Sequence, residues 1–153
     1  MSDHKVAIIM GSPNDRPKMT PAAETLEGLG VTADVRVMSA HRSPAAVAEF
    51  VGSARENGYS AIIAGAGMAA HLAGAAAAHT TLPVVGVPLS GGAIGGVDAL
   101  YATVQMPPGI PVATVAIDGA VNAALLVAQM LALHDDALVA ALAADRQARA
   151  APQ

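Results

Sequence analysis

The sequence predicts an α/β fold: a three-layer, doubly wound parallel sheet in the strand order 2-1-3-4-5, with an extra C-terminal helix. Three observations predict it. Apolar strand-like runs alternate with helix-like segments along the 153 residues. The runs read as continuous rather than alternating in polarity, as parallel strands covered on both faces do. Glycines stand where helices should stop, at positions 28, 30 and 58.

The first strand is Lys5–Met10, followed by the small-residue turn Gly11-Ser12-Pro13-Asn14-Asp15. The first helix, Arg16–Leu29, stops at Gly28 and Gly30. Pro17 suits its opening turn, whereas Pro21 loses an intrahelical bond. An irregular start, or a regular helix only from near Thr20, is therefore expected. The second strand, Ala33–Met38, runs into Ser39-Ala40-His41-Arg42-Ser43-Pro44. Ser43 reads there as an N-cap and Pro44 as the first position of a helix Pro44–Asn57. A third strand Ala61–Ala66 and helix Ala69–His79 come next.

The fourth strand, Val84–Val87, leads to Gly91-Gly92 and Gly95-Gly96, which read as a lid or equally as a plain flexible turn. A helix Val97–Gln105 and a proline-stiffened connector, residues 105–111, reach the fifth strand, Val112–Ile117. Helices Val121–His134 and Asp136–Arg149 close the chain, with Asn122 capping the former or lining a pocket. Ala148 to Gln153 reads as a frayed end, and no linker or repeat divides residues 1–153, so a single domain is expected. The order resembles that of flavodoxin-like folds, in which ligands bind beyond the carboxyl ends of the strands, near the switch point.

Composition narrows the function. The net charge is -4 with 13% charged residues and no basic patch, which leaves nucleic acid without an electrostatic footprint. There are no cysteines, so disulfide and thiolate chemistry are excluded. Ala61 to Ala78 is apolar enough to imitate a membrane span, but Gly65, Gly67, Gly74 and His71 interrupt it, and no membrane association is expected. The first residues lack the pattern of a signal peptide, and a cytoplasmic location is expected. A small chain that is 54% hydrophobic is expected to hide surface in a homo-oligomer. His4, His79 and His134 have no partner at metal-ligand spacing. His134-Asp135-Asp136 reads as a polar helix junction, and no metal is expected.

Three turns fall at the same rim of the predicted sheet. Gly11-Ser12-Pro13-Asn14-Asp15 offers backbone N–H groups and a hydroxyl to a phosphate, with Asp15 accepting from ribose hydroxyls; an ordinary βα turn capped by Asp15 is an equal reading. His41 is a general acid and base, or a loop histidine; beside Arg42, whose planar fork suits phosphate, the first reading is favoured. Gly65-Ala66-Gly67 leaves room for close backbone approach, and main-chain N–H groups through Met68-Ala69-Ala70-His71 suit a carboxylate or CO2. Tight strand–helix packing is the alternative for those glycines, and His71 is a pocket wall or a helix cap. The convergence points to acid–base chemistry on a phosphorylated small molecule.

These segments resemble the PurE family, the N5-carboxyaminoimidazole ribonucleotide mutases of purine biosynthesis. The resemblance runs from Ile9-Met10-Gly11-Ser12 through Ser39-Ala40-His41-Arg42-Ser43-Pro44, Ile62-Ile63-Ala64-Gly65-Ala66-Gly67 and Ala69-Ala70-His71-Leu72. It continues through residues 82–88, Val104-Gln105-Met106-Pro107, residues 111–117 and Asn122-Ala123-Ala124-Leu125-Leu126. It implies a homo-octamer with sites near subunit contacts, and a mutase that moves a carboxylate from an exocyclic nitrogen to C4 of an aminoimidazole ribonucleotide without cofactor or metal.

By the same resemblance His41 is the acid–base group, and Arg42 and Ser12 hold the phosphate, with Gly11 and Asn14 in the same turn. Asp15 binds ribose, Ser39 and Ala40 flank the base, and the wall from Gly65, Ala66, Gly67, Met68 and Ala70 to His71 and Leu72 holds the migrating group. The chain departs from the family pattern at Asn14-Asp15-Arg16 (for Ser-Asp-Trp), at Met68 (for Gly), and at Ala73 and Ala75 (for Pro and Met). Met68 is expected to narrow the carboxylate pocket. The related carboxylases usually carry His-Lys where this chain has His41-Arg42. An aminoimidazole ribonucleotide carboxylase, or a decarboxylase of a related azole ribonucleotide, is the alternative reaction. A non-enzymatic nucleotide- or flavin-binding module is the alternative of another class, disfavoured because only Phe50, Tyr59 and Tyr101 are aromatic.

Overall fold

Five parallel strands form one sheet in the order β2-β1-β3-β4-β5. They are β1 (Lys5–Met10), β2 (Thr32–Val37), β3 (Tyr59–Gly67), β4 (Val84–Leu89) and β5 (Ala113–Thr114). The computed structural model describes residues 3–150. The helices are α1 (Arg16–Gly28), α2 (Pro44–Gly52), α3 (Leu72–Ala77), α4 (Val97–Val104), α5 (Ala120–Leu131) and α6 (Asp136–Ala150). The expected three-layer topology and the extra C-terminal helix are both present. Of the expected frayed end, Ala148 to Ala150 belong to α6, and residues 151–153 lie outside the described residues.

The alternation of Cβ directions along β1 splits the core in two. Val6, Ile8 and Met10 join Ala61 and Ile63 beneath α1 and α5. Ala7 and Ile9 join Ile62 and Ala64 beneath α2 and α3. Ile8, Ile9, Ile62 and Ile63 are fully buried, each contributing about 1.5–3 kcal/mol of transfer free energy. Buried Leu138 ties α6 into the α1–α5 layer.

Several elements differ from expectation for identifiable reasons. α1 is regular from Arg16, with Pro21 inside it. Pro21 removes one bond from the first turns, and buried Met19, Ala22 and Leu26 hold the helix to the core regardless. β2 is not a covered apolar run: it is an edge strand carrying Asp34 and Arg36, with no residue fully buried. Asp34 accepts from the Tyr59 hydroxyl and from Arg36, whose guanidinium lies 4.5 Å from the Phe50 ring centre. α2 ends at Gly52, and turns carry the chain to Gly58, whose φ of 80° is the left-handed turn expected of a stop glycine, displaced from the helix end.

β4 extends to Leu89, whereas β5 has only two residues in place of six. Pro88 accounts for the short ladder: its carbonyl accepts from Asp118 N–H on the β5 side, where its missing N–H leaves no donor. α3 is six residues long because Met68 to His71 form a tight segment of their own. α5 passes into a 3-10 turn, Ala132–His134, before α6. Asn122 is the third residue of α5 rather than its cap, which is Gly119. Asp135 caps α6 by accepting from Leu138 N–H, and His4 Nε2 lies 3.4 Å from its carboxylate.

Candidate active site

The sheet splits where β1 feeds α1 on one face and β3 feeds α3 on the other. A cavity of about 410 Å³ opens at that crevice, at the carboxyl ends of the strands. Gly11, Ser12, Asn14 and Asp15 enter it from the turn after β1. Ser39, Ala40, His41 and Arg42 enter from the turn after β2. Ala66, Gly67, Met68, His71 and Leu72 enter from the end of β3 and beyond, joined by Ala69 of the same expected main-chain wall. Two expected site residues stand apart from the lining. Gly65 is buried beneath Met19, where a Cβ would lie 2.4 Å from the sulfur, and Ala70 is 1% exposed in the wall behind the cavity.

The turn after β1 is self-bonded. Ser12 N–H donates to Asp15 Oδ2 at 3.1 Å, Asn14 N–H donates to Ser12 Oγ at 3.2 Å, and Asp15 N–H donates to the Ser12 carbonyl at 3.1 Å. This capping box around the 3-10 turn Pro13–Asp15 engages backbone donors expected for a phosphate. The Ser12 hydroxyl, an acceptor here, keeps its own proton to donate outward. Asp15 makes no side-chain cap to α1. Burial pushes its carboxyl above the usual aspartate range, against the Ser12 N–H bond and the Lys18 charge.

The turn after β2 is shaped by Ser39. Its hydroxyl accepts from Arg42 N–H at 3.1 Å and its carbonyl from Ser43 N–H at 2.9 Å. Ser43 occupies the N-cap position of α2 as expected, but its hydroxyl makes no capping bond. The turn leaves His41 and Arg42 exposed at the cavity. His71 stands at the N-cap position of α3 without capping it. Its Nδ1 lies 2.6 Å from His41 Nε2, so it is a wall residue paired to the candidate acid–base group.

The third wall is also more self-contained than expected. Ala70 N–H donates to the Met68 carbonyl at 2.8 Å and His71 N–H to the Ala69 carbonyl at 2.9 Å, which takes two of the donors assigned to a carboxylate. Met68 adopts φ 51°, a left-handed conformation that costs a non-glycine residue strain, and exposes 59% of its surface.

Sequence reasoning missed a polar cluster at the same rim. The Ser90 hydroxyl donates to Asp118 Oδ2, its N–H donates to Asp118 Oδ1 at 2.8 Å, and Lys18 Nζ donates to Ser90 Oγ at 2.6 Å. Burial raises the Asp118 carboxyl, but the Ser90 bonds and the Lys18 charge outweigh it and hold it below the usual range. The cluster's members are 28 and 72 residues apart, and its one sequence signal is the placement of Ser90 and Asp118 just past strand ends. A larger cavity of about 680 Å³ opens at the amino ends of the strands, around Arg55, His79 and Thr81, far from the three turns.

Residues 5–151 match the family model described as AIR carboxylase. The N5-carboxyaminoimidazole ribonucleotide mutase of Brucella melitensis is 56% identical over 146 residues, covering 94% of this chain and 90% of that protein. The protein of the same name from Escherichia coli is 57% identical over 136 residues, covering 88% of this chain and 80% of its own length. The crystal structure of Treponema denticola PurE superimposes with a TM-score of 0.87 at 26% identity, covering 95% of this chain and 91% of that one.

Proposed function

We infer the reaction from one premise: the chain belongs to the AIR carboxylase family. It is an isomerase that converts N5-carboxyaminoimidazole ribonucleotide to 4-carboxy-5-aminoimidazole ribonucleotide in purine biosynthesis. The observation that carries this reading to particular residues is the cavity that His41 lines together with Ser12, Asp15 and Arg42.

The roles follow from the chemistry of those groups. Arg42 and the Ser12 hydroxyl bind the phosphate, and the Asp15 carboxylate accepts from ribose hydroxyls. His41, as imidazolium, gives a proton to the exocyclic nitrogen as the N–CO2 bond breaks and its electron pair returns to nitrogen. C4 then attacks the released CO2, and neutral His41 removes the C4 proton. One group serves as acid and then base, the proton returns to it, and substrate and product differ only in where the carboxylate sits. The wall from Ala66 to Leu72 confines CO2 between the two steps.

We further propose a homo-oligomer, the octamer implied by the family resemblance. Ile94, Val97, Tyr101 and Val104 are exposed at 59%, 42%, 62% and 45%. The last three recur at helical spacing along one side of α4, an apolar stripe suited to a copy of the same chain. No helix among the described residues is long and apolar enough to cross a membrane; a cytoplasmic location suits a phosphorylated substrate.

The reaction is tested by incubation with the carbamate substrate and, separately, with aminoimidazole ribonucleotide plus bicarbonate. Conversion of the carbamate is expected. Turnover of the second mixture alone overturns the mutase reading in favour of a carboxylase.

A further inference from the structure

We propose that Ser60, His4 and Asp135 form a second reactive centre, in which Ser60 is a nucleophile toward the acyl group of small esters. The three stand at the amino ends of the strands, at the opposite end of the sheet from the cavity that His41 lines.

His4 precedes β1, Ser60 is the second residue of β3, and Asp135 stands between the 3-10 turn and α6. Their side chains meet in sequence. Ser60 Oγ lies 3.3 Å from His4 Nδ1, and His4 Nε2 lies 3.4 Å from Asp135 Oδ2. A carboxylate only accepts, so the ring nitrogen that faces it carries the hydrogen. In a neutral imidazole this leaves the lone pair on Nδ1, beside the Ser60 hydroxyl. Ser60 then donates to Nδ1. In that arrangement a histidine serves as base to a hydroxyl nucleophile while a carboxylate orients the ring. Asp135 is itself held, because its other oxygen, Oδ1, accepts from Leu138 N–H at 3.1 Å. The His4 backbone is held by its carbonyl, which accepts from Thr32 N–H at 3.1 Å. All three residues are partly buried, which shields the relay and leaves the hydroxyl within reach of a small molecule.

The backbone gives an independent reason to single out Ser60. Lys5 pairs with Tyr59 and Val6 with Ala61, so one step along β1 spans two along β3. Ser60 is the extra residue of a β-bulge, a feature that re-aims a side chain and is over-represented beside active sites. The alternation of faces breaks at the same point. Ala61 and Ile63 belong to the core beneath α1 and α5, whereas Tyr59, two residues before Ala61, belongs to the opposite core. A regular strand would put Tyr59 and Ala61 on one face.

The reaction is acyl transfer to water. Ser60 Oγ bonds the carbonyl carbon of the ester as its proton passes to His4 Nδ1. The bond from that carbon to the alcohol oxygen breaks, and the departing oxygen takes the proton. Water then attacks the acyl-serine and gives a proton to Nδ1, which returns it to Oγ as the acid leaves. Ester and water become acid and alcohol, with no other reactant. His4 moves the proton, and Asp135 is a positioning residue that fixes the ring.

The probes are an alkyl fluorophosphonate and 4-nitrophenyl acetate. The fluorophosphonate is expected to add on Ser60, with a new oxygen–phosphorus bond and loss of fluoride, as read by peptide mapping. The unaltered protein is expected to hydrolyse 4-nitrophenyl acetate about 10²-fold faster than Ser60→Ala, the low end of what a positioned base contributes. His4→Gln is expected to fall to the rate of Ser60→Ala. Asp135→Asn still accepts from Leu138 N–H, is expected to melt with the unaltered protein, and is expected to label more slowly. At pH about 8.5, where an ordinary imidazole is neutral, the His4 ring 15N shifts are expected to place the hydrogen on Nε2. Asp135→Asn is expected to show a mixture of tautomers. Absence of an adduct on Ser60 overturns the inference. So does ester hydrolysis by Ser60→Ala or His4→Gln at the rate of the unaltered protein, or a His4 hydrogen held on Nδ1. None of these measurements uses the carbamate substrate, so their outcome is independent of the mutase reading.

Discussion

His41 Nε2 lies 2.6 Å from His71 Nδ1, the rings meeting edge to face with centroids 4.8 Å apart and planes at 85°. One nitrogen must donate and the other accept, so each ring fixes the direction of the other. His41→Ala is expected to abolish turnover while nucleotide binding stays measurable. His71→Ala is expected to lower kcat by up to about 10²-fold with a smaller change in KM, as loss of alignment does. Steady-state kinetics and nucleotide titration check the pair. Undiminished turnover in the His41 variant refutes its role.

Arg42 stands at the mouth of the cavity on a turn held by Ser39. Arg42→Ala is expected to weaken nucleotide binding by about 1.5–3 kcal/mol, the contribution of a hydrogen bond to a charged group. Calorimetric titration with the ribonucleotide, and with its dephosphorylated nucleoside, measures this. The nucleoside should bind both forms alike, and an equal loss for nucleoside and nucleotide would remove Arg42 from the phosphate.

Asp15 carries a cost that the proposed ribose contact would explain. Its carboxyl is raised above the usual range, first by burial. A raised carboxyl binds a proton more tightly folded than unfolded. Its ionisation therefore lowers stability as pH rises from about 4 through its folded value, and the cost is complete above that value. Asp15→Asn removes the titration yet still accepts from Ser12 N–H. The variant is expected to be at least as stable as the parent at pH 7 while binding ribonucleotide more weakly. Thermal melts at pH 4 and pH 7 with a binding titration check both halves; a variant that melts lower at pH 7 contradicts the first.

Gly86 marks a close approach of two helices, α3 and α4, to the sheet. A Cβ there would lie 2.4 Å from Thr103 Cγ2, 2.9 Å from Val112 Cγ1 and 3.2 Å from Ala73 Cβ. Gly86→Ala is expected to destabilise by about 1–3 kcal/mol, the scale of overpacking against stiff β-branched neighbours. Gly65→Ala meets only the flexible Met19 side chain and should cost less. Urea denaturation of the two variants ranks them.

The strand order and the meeting of three turns were legible in the sequence because each strand is a short apolar run and each turn opens a helix. His41, Arg42 and Asp15 stood out by residue type. What stayed hidden depends on contacts distant along the chain. The short β5 follows from Pro88, which lies on the neighbouring strand and not in β5 itself. The pairing of His71 with His41 spans 30 residues, and that of Lys18 with Ser90 spans 72. Hydrophobic periodicity reports burial, not which polar side chains from separate loops will meet. The self-bonded turn after β1 was within reach, since Ser12-x-x-Asp15 has the spacing of a capping box.

The two margins of the sheet also bear on how copies of this chain can assemble. At one, β2 presents Asp34 and Arg36, and at the other β5 lasts for only two residues. Neither offers the long, uncharged ladder of donors and acceptors that lets a foreign strand zip on. Growth by strand addition is thus disfavoured in both directions, so the proposed oligomer would form through helix surfaces and close on itself instead of extending as a fibre.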